Sequence, residues 1–415
     1  MHKFDYRDGE MYCEDVPLRR IAEEVGTPAY IYSRGTILAH YSRLVEAFSD
    51  LPHMICYSVK ANSNLAVLST LAQEGAGADI VSGGELYRAL KAGIPSFKIV
   101  FAGIGKTEAE MTSALQSGIL MFNVESPTEL SILDRVAGEM GKKADIALRV
   151  NPDVDPETHP YIATGLKEAK FGIGIEEAVA IYENAASLPN VNVVGVHQHI
   201  GSQITEVDPF RESITMLGEL VKRLQGNGID VRYINIGGGF GIPYRQEDVP
   251  YPRDYARALE PILKESGCTV ILEIGRMIVG NAGVLLTKVL YHKRSGDKGF
   301  LIVDAAMNDL LRPSLYGSFH EILPVRKLDR EEETVDVVGP VCESGDFLAR
   351  DRELPHSEPG ELLAVMSAGA YAFAMSSNYN SRRRPPEVMV DGREVTVVRK
   401  RESYEDLVRG ESMWR

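Results

Sequence analysis

The sequence predicts an α/β fold, a (β/α)8 TIM barrel followed by a mainly β C-terminal domain, on three observations. Eight short apolar runs alternate with helical patterns over residues 33–280, and after about residue 280 the chain turns to strands without long helices between them. The unusual polar residues and glycines fall where the apolar runs end, which is where barrels carry their chemistry. A doubly wound open sheet is the alternative that the same alternation allows.

The eight runs are Met54–Val59, Ala78–Val81, Lys98–Ala102, Ile119–Val124, Asp145–Val150, Val193–Ile200, Arg232–Gly237 and Val270–Gly275. They are rich in β-branched residues and bounded by glycine or polar punctuation, so they read as buried parallel strands. Between them, Ile37, Leu38, Tyr41, Leu44, Val45 and Phe48 recur at helical spacing, with Ser33 as the cap upstream. A shorter helix from Gly83 is stopped at Gly93. In the second domain Leu285–His292, Phe300–Ala305, Thr334–Val338, Glu361–Met366, Glu387–Val390 and Glu394–Arg399 read as strands, with Asp391-Gly392 as a hairpin turn. The early run Ala29–Tyr32 joins this domain rather than the barrel.

A chain of 415 residues has room for two such domains. With 45 basic against 59 acidic residues its net charge is −14, which argues against nucleic acid or an anionic membrane as partner. At 44% apolar and 25% charged the composition is that of a soluble globular protein. The N-terminus lacks the apolar core of a signal peptide, and no apolar run reaches the ~18–20 residues of a membrane span. Cys13, Cys56, Cys268 and Cys342 lie far apart with no CxxC pair, so a disulfide framework or zinc knot is not expected and a cytoplasmic location is.

Each candidate site residue has a bland reading beside the functional one. The run Gly237-Gly238-Gly239-Phe240-Gly241 follows the seventh strand, where barrels commonly bind phosphate; it also suits a tight structural turn, and it does not fit GxGxxG. Lys60, closing an apolar strand, points into the barrel mouth as an amine nucleophile or sits on the rim paired to a carboxylate. His197 and His199 share a strand face; with no third ligand at a matching rim position no metal is expected, and ring stacking on a flat cofactor by one of them suits better. Glu273, inside an apolar strand, needs a cation such as Arg276 or a protonated ring nitrogen. A Schiff-base lysine, a phosphate cradle, a stacking imidazole and a carboxylate for a pyridinium together describe a site for pyridoxal 5'-phosphate.

Tyr57-Ser58-Val59-Lys60-Ala61-Asn62, His199-Ile200-Gly201-Ser202-Gln203, Gly237–Gly241, Glu273-Ile274-Gly275-Arg276, Asp304–Asp309, Cys342-Glu343-Ser344-Gly345-Asp346 and Gly369-Ala370-Tyr371 resemble, in order and over nearly the whole chain, the bacterial diaminopimelate decarboxylases. These are fold-type III pyridoxal phosphate enzymes with an alanine-racemase-type barrel. The resemblance implies that residues 33–280 bind the cofactor, and that 281–415 with 1–32 complete the active site. It implies an aldimine on Lys60, His199 stacked on the ring and Glu273 at its nitrogen. Ser202, Gly239 and the turn Glu273, Ile274, Gly275 and Arg276 would hold the phosphate with Tyr371. Arg276, Arg312 and Tyr316 would grip the distal carboxylate of meso-2,6-diaminopimelate, and Glu343 its distal ammonium. Cys342 is implied as proton donor, on a loop given to the partner of a homodimer, and the product is L-lysine, the last step of its biosynthesis.

Two departures fall beside these motifs, Ile274 where the family usually has proline and Ala306 where it usually has glycine; neither removes a reacting group. The alternatives are a related decarboxylase of ornithine, a D-amino acid or a siderophore precursor, and a silent regulator, which would have lost the lysine or the carboxylate that this chain keeps. Arg312 as a surface ion pair and Cys342 as an inert buried thiol are the bland readings of those residues. Arg382-Arg383-Arg384 reads as local ion pairing, and the long segment from Asn151 to Phe171-Gly172 as a border of the active site.

Overall fold

The computed structural model describes residues 2–155, 170–245, 247–327 and 329–414. The chain forms two compact units, one of Met1–Ala39, Pro243–Glu247 and Ile278–Arg415, the other of His40–Ile242 and Asp248–Met277.

The second of these is the barrel. Its strands are β1 (His53–Ser58), β2 (Gly77–Ile80), β3 (Ile99–Phe101), β4 (Met121–Val124), β5 (Ala144–Asn151), β6 (Val191–His197), β7 (Tyr233–Asn235) and β8 (Thr269–Ile274). Each pairs in parallel with the next, and β8 closes on β1, so the open-sheet alternative is excluded. The helices form where the sequence has its caps. Ser33 Oγ accepts the Thr36 N–H at 3.0 Å at the head of Arg34–Ala47. Ser82 accepts the Glu85 N–H at 3.2 Å at the head of Gly83–Lys91, and the chain leaves that helix at Gly93, whose φ is +91°.

Alternation along the strands sorts the barrel interior into layers, because successive side chains point to opposite faces. Cys56, Val100, Met121, Ala147, Val194 and Ile271 form a buried apolar cluster. Two residues further on, β1, β4, β5 and β8 present Ser58, Asn123, Arg149 and Glu273. β6 reaches the same level one residue later: its register against β5 shifts between Val193 and Gly195, so His197 comes opposite Arg149. An apolar plug thus lies under a polar layer at the C-terminal ends of the strands.

In the other unit, Ala29–Ser33 lies between Gly283–Ser295, antiparallel, and Glu387–Asp391, parallel, as the sequence placed it. Ile31, Val284, Leu286, Val388 and Val390 pack in its core. The hairpin turns at Asp391-Gly392, with Gly392 at φ +57°. The strand Phe347–Pro355, paired with Glu332–Val338, escaped the sequence reading because its stretch FLARDRELP carries charges where an apolar run would be expected. The N-terminal ribbon Phe4–Arg7, Glu10–Cys13 and Val16–Pro17 was missed for the same reason.

Tyr182 is fully buried; its hydroxyl accepts the Leu148 N–H of β5 and meets the carbonyls of Leu148 and Gly195, each at 3.1 Å. It thereby braces the β5–β6 pair at the irregularity. Tyr182→Phe should lower the free energy of unfolding by about 1–3 kcal/mol, read from urea denaturation, because it strands buried backbone groups.

Candidate active site

Lys60 stands in the single turn Val59–Ala61 just beyond β1, its Nζ 2.6 Å from Asp79 Oδ2. Asp79 is fully buried on β2, whereas the lysine side chain is 36% exposed, so the carboxylate anchors an amine that still faces solvent. Ser58 Oγ donates to the same Asp79 oxygen at 2.8 Å and lies 2.9 Å from the Glu273 carbonyl. Burial pushes the Asp79 carboxyl above the ordinary range, assisted by Glu273 and opposed by Lys60.

Glu273 is the centre of the polar layer. Asn123 Nδ2 donates to its Oε1 at 2.8 Å and Asn235 Nδ2 at 2.7 Å, while His197 Nε2 lies 3.3 Å from Oε2. Burial opposes ionisation, but His197, Lys60 and Asn235 outweigh it and hold the carboxyl well below its usual range. The sequence expected Arg276 as a possible cationic partner. The group the structure sets at Glu273 Oε2 is His197, while Arg276 Nη2 donates to Ser202 Oγ at 2.9 Å. β8 ends at Ile274, and Arg276 opens the following short helix.

His199 Nδ1 accepts the Gly238 N–H at 3.2 Å. Burial, with Arg149 and Lys60 nearby, holds its pKa well below the usual value, so its ring is neutral at pH 7. The glycine run passes against two neighbours: a Cβ on Gly238 would lie 1.9 Å from the Glu273 carbonyl oxygen. One on Gly239, at φ +108°, would lie 2.3 Å from the Gly201 oxygen. Gly275 likewise packs on Ala61 and Ser58, with a Cβ there 2.9 and 3.0 Å from their Cβ atoms. The tight-turn reading of these glycines is therefore satisfied by packing, whatever else their amides hold.

The sequence reading missed Asp79, Asn123, Asn235 and the buried pair of Arg149 with Glu125, 2.9 Å apart. The signal was present, since each is a polar residue in or at the end of an apolar run, the argument applied to Glu273 alone. Residues 156–169 of the long segment after β5 lie outside the described residues; Gly172 N–H, beyond them, donates to Glu125 at 2.8 Å.

In the mainly β unit, Arg312 is buried rather than on the surface. Its Nη1 is 2.8 Å from His320 Nε2, and its guanidinium lies over the Tyr244 ring at 4.7 Å. Tyr316 ends the same short helix, Arg312–Tyr316. Ser314 Oγ donates to the Gly345 carbonyl at 2.5 Å, tying that helix to the loop of Cys342 and Glu343. Cys342 is exposed, so it is not the inert buried thiol; its N–H donates to Asn380 Oδ1 at 2.7 Å, and Tyr379 Oη donates to Glu343 at 3.3 Å. Tyr371 holds a left-handed backbone at φ +54°. The three arginines pair locally: Arg382 with the Asp304 carbonyl, Arg384 with Glu402, and Arg383 over the Tyr404 ring.

Residues 34–280 match the family model of the pyridoxal-dependent decarboxylases, pyridoxal binding domain. The chain is 54% identical to the diaminopimelate decarboxylase of Pseudomonas aeruginosa, over 100% of this chain and 99% of that one. It is 53% identical to that of Aquifex aeolicus, over 97% and 96% respectively. The crystal structure of diaminopimelate decarboxylase from Helicobacter pylori complexed with L-lysine superposes with a TM-score of 0.92 at 44% identity, covering 94% of this chain and 98% of that one.

Asp309, beneath the loop of Met307, accepts the Ala306 N–H and the Asn308 amide, each at 3.0 Å. Burial raises its carboxyl to about 7. The folded chain therefore binds this proton more tightly than the unfolded chain does. That stabilisation is complete below about pH 4 and is lost as the pH rises through about 7. A plot of Tm against pH should show this decline in the native protein and a flatter course over the same window in Asp309→Asn.

Proposed function

We propose residue roles and an assembly for this chain, which belongs to the diaminopimelate decarboxylases within the pyridoxal-dependent decarboxylase family. Its reaction is the decarboxylation of meso-2,6-diaminopimelate to L-lysine and CO2, with pyridoxal 5'-phosphate as cofactor. The observation that carries the residue roles is the polar layer, in which a solvent-facing amine and a buried ionised carboxylate share one barrel mouth. The donor set suits the cofactor. Lys60 Nζ suits its carbonyl carbon, Glu273 its ring nitrogen and the neutral His199 its flat face. Asp79 Oδ1, Asn123 Oδ1 and His197 Nδ1 are buried there without a hydrogen-bond partner, polar capacity that packing alone leaves unused.

Ser202, Gly239, Ile274, Gly275, Arg276 and Tyr371 would hold the phosphate. When bound, the cofactor supplies an electron sink for the pair released as the Cα–carboxylate bond breaks. Glu273, kept ionised by His197 and two amides, holds a proton at the facing nitrogen. Asp79 keeps the Lys60 amine in place. Cys342 Sγ or Lys60 Nζ returns the proton to Cα. Arg276, Arg312 and Tyr316 take the distal carboxylate and Glu343 the distal ammonium. A substrate with a second carboxylate requires such a clamp, and a diamine-forming decarboxylase does not.

In this reading residues 33–280 bind the cofactor, and 281–415 with 1–32 complete the site. The exposed loop of Cys342 and Glu343 serves the partner's site in a homodimer. Four free cysteines suit a cytoplasmic location. Among the described residues no helix is long and apolar enough to cross a membrane.

The deciding experiment is lysine formation from meso-diaminopimelate by the purified protein with pyridoxal phosphate, beside ornithine, arginine and D-lysine. Lysine from diaminopimelate with no product from the others is expected; equal turnover of ornithine would overturn the role given to the arginines. Lys60→Ala should abolish both turnover and the visible absorbance of the bound cofactor. Arg312→Ala should raise KM for diaminopimelate by at least about tenfold while cofactor affinity is unchanged.

A further inference from the structure

We propose that the mainly β unit carries a binding site for one divalent transition-metal ion, zinc in the first instance, built from His292, Glu333 and His356. His292 lies on the strand Gly283–Ser295, Glu333 on Glu332–Val338, and His356 opens the turn after Phe347–Pro355. One ligand atom from each falls within 4.8 Å of the others. Both imidazoles turn Nδ1 to the same carboxylate oxygen: His356 Nδ1 is 2.9 Å and His292 Nδ1 3.7 Å from Glu333 Oε1. Donors about 2.0–2.1 Å from a tetrahedral zinc stand about 3.3 Å apart, and these two separations bracket that value. All three side chains are part-exposed, so an ion can reach them from solvent.

The groups behind the rings make this more than a chance cluster. His292 Nε2 is 2.5 Å from the carbonyl of Ser357, which can only accept, so the ring's proton sits on Nε2. Nδ1 stands 3.7 Å from Glu333 Oε1, beyond hydrogen-bond reach of it, and is the ring atom left to bind an ion. At His356 the hydrogen bond is on the other nitrogen: Nδ1 lies 2.9 Å from Glu333 Oε1, and Nε2 stands 3.4 Å from Glu358 Oε1. A metal ion bound by both Nδ1 atoms and Glu333 Oε1 would take the place of the proton between His356 and Glu333, with Nε2 of each ring left to donate to Ser357 or Glu358. Donation of the outer ring N–H to a carbonyl or carboxylate is the support that metal-bound histidines usually have. The rings stack at 4.7 Å between centroids. The neighbouring cation, Arg330, is taken up by Glu361 and the His356 carbonyl. Two imidazoles and one carboxylate favour zinc, copper or nickel over magnesium or calcium. The ion would tie the far end of Gly283–Ser295 to the turn 356–361 and the strand beside it.

Titration of the chelator-treated holoenzyme with zinc chloride in a calorimeter tests this. One saturable site per chain is expected. It should weaken by at least about 100-fold in the double variant His292→Ala/His356→Ala and in Glu333→Gln, and by about tenfold in Glu358→Gln. Glu333→Gln preserves shape, and a circular dichroism spectrum with a metal-free Tm checks that each variant folds. Turnover of diaminopimelate should be unchanged in all three, since none of these residues belongs to the catalytic machinery. The absence of saturable zinc binding would overturn the proposal, leaving only a hydrogen-bonded His–Glu–His network. Undiminished affinity in the double variant, as zinc held by the exposed Cys342 thiol would give, would overturn it equally, as would magnesium chloride binding as tightly as zinc.

Discussion

A carboxylate ionised inside a barrel is the constraint on which the rest of the catalytic unit depends. Removing a charge from water costs several kcal/mol unless hydrogen bonds and an opposite charge replace the lost hydration. Glu273 meets that demand by drawing a side chain from each of three other strands, Asn123, His197 and Asn235. Those three must stand at one level, so strand register, the shift in β6 and the tight packing of the glycine loop on the Glu273 carbonyl all serve the same point. The apolar cluster beneath excludes water from below, which strengthens each of these interactions.

Asp79 and Glu273 are two acids in one polar layer pushed in opposite directions. Asp79 is raised by burial and by Glu273, while Glu273, given more donors, stays ionised. The shared Ser58 hydroxyl touches the Asp79 carboxylate and the Glu273 backbone and so fixes their spacing. Lys60 sits at the exposed edge of this arrangement, where an amine can be held by one carboxylate and still be approached. Acid and base roles follow from environment rather than from residue type.

The mainly β unit follows a different logic. Its loops 304–309, 341–346 and 377–380 and the short helix Arg312–Tyr316 are locked together by side chains that hold backbone groups: Asp346 takes the amides of Met307 and Val341, Asn380 takes that of Cys342, and Ser314 reaches Gly345. Loops fixed in this way can present Arg312, Cys342 and Glu343 with defined geometry although they lie outside regular strands. The buried stack of Arg312 over Tyr244 beside His320 shows the same economy.

By itself the sequence determined the barrel, its eight strands, the return of Ala29–Tyr32 to the second unit and the identity of Lys60 and Glu273 as residues of interest. These depend on local signals: apolar periodicity, glycine punctuation, capping residues, and a charge in an apolar run. Tertiary structure alone decided which polar residues share a level, because that depends on barrel stagger and on one extra residue in β6. It therefore decided that His197 faces Glu273 and that Asp79 holds Lys60. The strand Phe347–Pro355 was likewise invisible beforehand, since its charged residues leave no apolar alternation to read. The His292, Glu333 and His356 grouping belongs to the same class. Its members are far apart in the chain, and only the pairing of strands and the turn after Pro355 brings their nitrogens and oxygen to one point.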